Sequence, residues 1–190
     1  MKVDENRLLE DIGKKRYDHS LRVANLAEKL ALIYKVDSKK AYLAGLLHDC
    51  AKYNEKKYLE LLNIDYKKYP VFSIVDPVLH SFLGADLAKK VYNINDKDIL
   101  SAIEFHTTGK KDMTDLEKII FVADAAEEGR DYDGIDTIRE LAFVDLDKAV
   151  LSLLDSNIKF LIRKKALINP LSIEARNFFI EENNEQTRNN

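Results

Sequence analysis

The sequence predicts an all-α protein folded as a single domain. Three observations carry this. Apolar residues recur at spacings of three and four along most of the chain. Capping residues stand where those runs begin. Only 6 Gly and 3 Pro interrupt 190 residues, too few for a many-turned β fold, and no segment alternates as a half-buried strand would.

Taken in order, Val23, Leu26, Ala27, Leu30 and Ala31 form one helical face between Tyr17 and Tyr34. Ser38 is placed to cap the next helix, whose apolar Tyr42, Leu43, Leu46 and Leu47 run into His48-Asp49. Asn54 to Leu62 reads as a short helix, and Asn63 to Pro77, with Pro70 and Pro77, as a connection. Leu79, Phe82, Leu83, Leu87 and Val91 mark a helix from Val78 to Val91. Asp96 caps one that passes through Ile99, Ala102 and Ile103 to His106, and Thr107 to Asp112 is a loop. Thr114 with Glu117 three residues on is a capping box for a helix with its body at Leu116 to Ala126. Gly129 and Gly134 punctuate a loop before a helix at Ile135 to Phe143, and a long helix spans Leu146 to Leu161. Pro170 closes that block, a final helix starts near Ser172, and the polar end EENNEQTRNN is expected to fray.

The composition narrows the class. Hydrophobic residues make up 46% and charged residues 33%, as in a globular domain. Lys plus Arg is 30 against 33 Asp plus Glu, a net charge of −3, so no large positive field exists to collect nucleic acid. The first residues, MKVDENRLLEDIG, lack the apolar core of a signal peptide, and no run reaches the roughly 18 apolar residues of a membrane span. One cysteine, Cys50, excludes an internal disulfide and fits a reducing compartment. A cytoplasmic location without membrane partners is expected.

The four histidines, His19, His48, His80 and His106, each fall near the start or end of a different expected helix. A helical bundle can gather such positions in its interior. A helix-end histidine can equally cap a carbonyl or lie at the surface. The spacing is not that of a zinc finger, and the single Cys argues against a thiolate site, which leaves imidazole and carboxylate ligands for Fe, Mn, Co, Ni or Zn. Neighbours on a helix point about 100° apart, so His48 can serve one metal while Asp49 reaches toward a second. Asp124 is the only charge in Ile119 to Ala126. It is either a buried carboxylate needing a cation or part of one partly exposed face with Glu117, Phe121 and Glu128.

Arg16-x-x-His19, His48-Asp49-x-Ala51-Lys52, His80-x-x-x-Gly84-Ala85, His106-Thr107-Thr108-Gly109 and Ala123-Asp124 occur in this order. The set resembles the HD-domain superfamily of metal-dependent phosphohydrolases and, within it, the symmetrical bis(5'-nucleosyl)-tetraphosphatases, over roughly residues 6 to 165. The resemblance implies an HD-type helical bundle over residues 1–170, with 171–190 a C-terminal helix and frayed tail. It implies two metal ions, typically iron, and hydrolysis of diadenosine tetraphosphate to two ADP. His19, His48, Asp49 and Asp124 would surround one metal, and His80 and His106 would hold the second with Asp49 bridging. The sequence departs from the family at Lys110, where Arg is usual, at Lys111-Asp112-Met113, and at Glu127-Glu128-Gly129-Arg130, where Glu-Pro-x-Arg is usual.

Symmetrical products require attack, by a metal-bridging hydroxide, at a phosphorus flanking the central bridging oxygen. Phosphate contacts must set that register, and Arg16, Lys52, Thr107, Thr108, Gly109, Lys110 and Arg130 are the candidates, with His48, Asp49 and Lys52 at the chemistry. Arg16 can alternatively orient His19 or pair with a carboxylate. The expected partners are a dinucleoside polyphosphate and an ADP- or GDP-type product, and a homodimer is an admissible assembly. Other readings are another HD nucleotide phosphohydrolase, a metal- or nucleotide-binding regulatory module without turnover, and a bundle with structural histidines. Alarmone hydrolases usually show His-Asp-x-x-Glu-Asp and cyclic-dinucleotide phosphodiesterases Gly-Tyr-Pro, and neither motif is present.

Overall fold

Asp4 opens the first helix, α1 (Glu5–Ile33), by accepting from the Arg7 amide at 3.1 Å. The helix starts about three turns before the periodicity predicts, because only Leu8 and Ile12 are buried ahead of a kink at Gly13 (φ 75°, ψ 159°). His19 therefore lies mid-helix rather than near a helix start. The computed structural model describes residues 3–69 and 78–188, with side chains through 182. The end of the expected 63–77 connection and the last two residues of the expected tail lie outside this range.

α2 (Ser38–Leu47) is capped one residue earlier than expected. The Asp37 carboxylate, rather than Ser38, accepts from the amides of Lys39 and Lys40 at 2.9 and 3.2 Å. α3 (Glu55–Leu61) and a 3-10 turn at Tyr66–Lys68 precede α4 (Leu79–Lys90). α5 (Lys97–Phe105) is capped by Asp96, as expected. α6 (Asp115–Ala126) carries the expected capping box: Thr114 Oγ1 accepts from the Glu117 amide at 3.3 Å, and Glu117 accepts from the Thr114 amide at 2.7 Å. α7 (Ile135–Val144) and α8 (Leu146–Arg163) follow. Pro170 opens α9 (Pro170–Arg188) instead of closing α8, with the Asn169 side chain accepting from the Leu171 amide at 3.0 Å. No strand occurs among the described residues. None of their helices is long and apolar enough to cross a membrane.

α1 packs against α2, α6 and α7, α2 against α5 and α6, and α8 covers α6 and α7. The core they share includes Val23, Leu30, Leu47, Ile103, Ile119 and Val122, all fully buried. The α1–α2 contact is close enough to need a glycine. A Cβ on Gly45 would sit 2.8 Å from the Ala24 Cα. His19 lies five residues before Ala24 and His48 three after Gly45, so this close approach brings the two histidines' helices together. α9 lies on α8 through buried Ala175 and Phe179, and Ser172 Oγ donates to the Thr108 carbonyl at 2.9 Å.

Candidate metal centre

Helix ends and helix middles deliver the four histidines to one place. His19 comes from the middle of α1, His48 from the C-terminal cap of α2, His80 from the first turn of α4 and His106 from the cap of α5. All four are buried. Ligand atoms of His19, His48 and Asp124 lie within 4.8 Å of one another, and so do those of His48, Asp49 and His106. His80 Nε2 stands 3.2 Å from His106 Nε2 and 3.0 Å from Asp49 Oδ1. The carboxylate of Asp49 has two faces. Oδ2 is 3.3 Å from His48 Nε2 and accepts from Arg16 at 2.8 Å, while Oδ1 faces His80 and, at 3.6 Å, His106.

The hydrogen bonds fix which ring nitrogens face inward. His48 Nδ1 and His106 Nδ1 each lie 2.7 Å from a carbonyl oxygen three residues back, of Gly45 and Ile103. A carbonyl can only accept, so each Nδ1 donates, and in the neutral ring each Nε2 presents a lone pair to the centre. Among the described residues, His48 Nε2 and Asp49 Oδ1 are then buried without a hydrogen-bond partner. Lone pairs and carboxylate oxygens pointed at one another in a buried site repel unless a cation lies among them. The donor set fits divalent metal ions on that ground.

The titration behaviour agrees. Burial opposes charge on Asp49, yet the His48, His106 and His80 imidazoles outweigh it and hold the carboxyl well below the usual range. Burial likewise opposes ionisation of Asp124, and His19, His48 and Arg130 overcome it and keep it ionised. Burial disfavours a charged His48, but the adjacent Asp49 raises its pKa, so the site attracts positive charge. Burial pushes His80 down to about 4 despite Asp49, leaving a neutral ligand at pH 7.

Asp124 is 24% exposed and faces the cluster, 3.0 Å from His19 Nε2. The exposed-face reading fails because Glu117 and Phe121 are buried. Lys52 Nζ stands 3.2 Å from His80 Nε2 and 3.7 Å from Asp49 Oδ1. Arg130 donates to both the carbonyl and the carboxylate of Asp124, at 2.8 and 2.5 Å. Thr107 Oγ1 is 3.1 Å from His106 Nε2.

Three expected phosphate contacts are engaged elsewhere. Thr108 Oγ1 donates to the Gly109 carbonyl at 2.8 Å and is buried. Gly109 is the left-handed residue that ends the α5 turn (φ 63°), and its amide donates to Phe105 at 2.8 Å. Lys110 pairs with Glu117 at 3.1 Å and donates to the Asp112 carbonyl at 3.2 Å.

Sequence reasoning missed Glu127. This buried carboxylate lies 3.0 Å from His19 Nδ1 and accepts from Arg22 at 2.5 Å. It looks like half of a solvated Glu-Glu pair at a helix end. It sits just past the end of α6, as its C-terminal cap, three residues after Asp124, and that proximity in sequence is the signal that could have found it.

An HD domain model matches residues 16–129. The symmetrical bis(5'-nucleosyl)-tetraphosphatases of Staphylococcus aureus and Bacillus subtilis are 39% and 35% identical to this chain, each over 173 residues, 90% of this chain and 89% and 92% of their own. The crystal structure of a predicted HD superfamily hydrolase involved in NAD metabolism from Clostridium acetobutylicum is 44% identical, with a TM-score of 0.86 over 94% of this chain and 95% of that one. By motif order, by sequence and by fold, the chain belongs to the HD-domain family, in the group that holds the symmetrical bis(5'-nucleosyl)-tetraphosphatases.

Proposed function

We propose that this chain hydrolyses diadenosine tetraphosphate symmetrically, giving two ADP, and that it needs two metal ions to do so. The observation that carries the reading is the two-faced Asp49 carboxylate among four buried imidazoles. The relatives, which bear the name of that activity over nearly the whole chain, support it. His19, His48, Asp49 and Asp124 would hold one ion, and His80 and His106, with Asp49 shared, the other. Iron is the metal the family implies, and Mn, Co, Ni or Zn also suit this donor set. Such ions, when bound, polarise phosphoryl oxygens and make water nucleophilic at neutral pH.

The chain's own groups supply the rest. Lys52, beside His80 and Asp49, brings an ammonium to the edge of the cluster, where it neutralises charge on the phosphoryl group. Arg16 holds Asp49 in place, and Arg130 does the same for Asp124. Thr107 sets a hydroxyl beside His80 and His106, ready to donate to a phosphate oxygen. Thr108, Gly109 and Lys110 shape the loop that carries Thr107.

We take residues 1–170 as the catalytic domain and 171–190 as an appended helix and tail, joined to the loop through Ser172. We infer a cytoplasmic location, in keeping with the lone thiol of Cys50. The test is product analysis with metal-reconstituted protein. ADP as the sole nucleotide product from diadenosine tetraphosphate is expected. Tight nucleotide binding with no ADP release under Fe or Mn would overturn the reading in favour of a regulatory module.

A further inference from the structure

A cleft of about 410 Å3 opens beside the cluster, at the end where His19 and Asp124 stand. Arg16, His19, Arg130, Lys14, Lys15 and Tyr53 line it, and Arg16 and Arg130 tie it to the cluster through Asp49 and Asp124. Five cations face it against one carboxylate, Glu127, in a chain whose net charge is −3. Glu127, Asp49 and Asp124 hold three of these cations, Arg22, Arg16 and Arg130, and Asp18 pairs with Lys14. Lys15 is exposed and makes no ion pair among the described residues.

Tyr53 is the unexpected element. It is 68% exposed, and its backbone adopts a left-handed conformation (φ 68°) that bulky residues seldom take. Its hydroxyl accepts from Arg16 at 2.9 Å, and the same guanidinium sits 5.5 Å from the ring centre. Core packing does not explain an exposed ring held in a strained turn and tied to the arginine that binds Asp49. A stacking platform at the edge of a cationic cleft does.

The cluster is elongated. His80, His106 and Thr107 stand at one end, and His19 and Asp124 at the other. A dinucleoside tetraphosphate cut at its centre carries two phosphates and a nucleoside on each side of the broken bond. Two arms therefore leave the cluster, and the cleft is built for one of them. We propose that the cleft binds one nucleoside diphosphate arm of the substrate, with Arg16 and Lys15 beside its phosphates and the Tyr53 ring against its base. This deepens the tetraphosphatase reading and depends on it.

The test is calorimetric titration of metal-loaded protein with a methylene-bridged, non-hydrolysable diadenosine tetraphosphate. Tyr53→Ala should weaken binding roughly 10-fold or more, the scale of a lost base–aromatic stack. Tyr53→Gly, which relieves the positive φ while removing the ring, should lose as much. Tyr53→Phe, which keeps the ring and drops the bond to Arg16, should stay within about threefold, and Lys15→Glu should also weaken binding. Unchanged affinity in Tyr53→Ala and Tyr53→Gly overturns the proposal. So does a Tyr53→Phe loss equal to that of Tyr53→Ala, which would assign the effect to Arg16. Wild-type protein that releases no ADP defeats the tetraphosphatase reading. Wild-type turnover together with indifferent Tyr53 variants defeats only the arm.

Discussion

Glu127 Oε1 lies 3.0 Å from Nδ1 of His19, on the opposite side of the ring from the Nε2 that stands 3.0 Å from Asp124. With a metal held at Nε2, the ring would keep its proton on Nδ1 and donate it to this carboxylate. Arg22 and the Gly129 amide, at 2.5 and 2.6 Å from Oε2, fix the carboxylate in turn. Outer partners of this kind are worth roughly 10- to 100-fold in metal affinity. Glu127→Ala should cost that much in a chelator competition. Glu127→Gln, which can still accept through its amide oxygen, should cost less. Equal affinity in wild type and Glu127→Ala would refute the role.

Asp49 is shared between the two halves of the cluster, so its loss should be felt by both. Asp49→Ala should lose most of its bound metal and nearly all ADP release, read by elemental analysis alongside product assay. Unchanged metal content would defeat the assignment of a two-ion centre.

Metal removal should also destabilise the fold, since the metals would bind the folded chain and not the unfolded one. A site held at about 100 times its Kd contributes roughly 2.7 kcal/mol. For a chain of this length that is a fall in Tm of roughly 5–10 °C on chelation. A Tm indifferent to chelator would mean that the buried His48 Nε2 and Asp49 Oδ1 are satisfied some other way.

Much of this was legible in sequence because helical periodicity and capping are local. The Asp96 cap, the Thr114–Glu117 box and the limits of α4 and α7 follow from residues a few positions apart. The start of α1 did not, because a segment with two buried apolar residues and a glycine kink has almost no periodic signal. At the site, the ordered motifs brought forward every ligand candidate. They could not show that Thr108 and Lys110 spend their polar groups on Gly109 and Glu117, nor that Glu127 reaches His19 across 108 positions. Those are tertiary contacts, settled by how α1, α5 and α6 pack.

The two threonines after His106 separate cleanly. Thr107→Val removes a hydroxyl 3.1 Å from His106 Nε2 and should lower kcat with little change in Tm. Thr108→Val strands no phosphate contact, since its hydroxyl is bonded to the Gly109 carbonyl. It should instead cost about 1 kcal/mol of stability and leave kcat near wild type. The reverse pattern would return Thr108 to the substrate.

Gly45 offers the sharpest link between packing and the metal centre. Its missing side chain lets α2 approach the α1 backbone, and a Cβ there would meet the Ala24 Cα at 2.8 Å and the Ala24 nitrogen at 3.0 Å. Backbone cannot rotate aside as a side chain can, so the two helices must separate. Overpacking of this kind costs about 1–3 kcal/mol. Because His19 sits on α1 and His48 ends α2, the same separation would pull apart two residues proposed to hold one ion. Gly45→Ala should therefore lower Tm by several degrees and weaken metal binding in the same protein. Thr114→Ala, which removes a helix cap for about 1 kcal/mol, should lower Tm without touching metal affinity. If both variants lose stability and neither loses metal, the α1–α2 distance does not set the site.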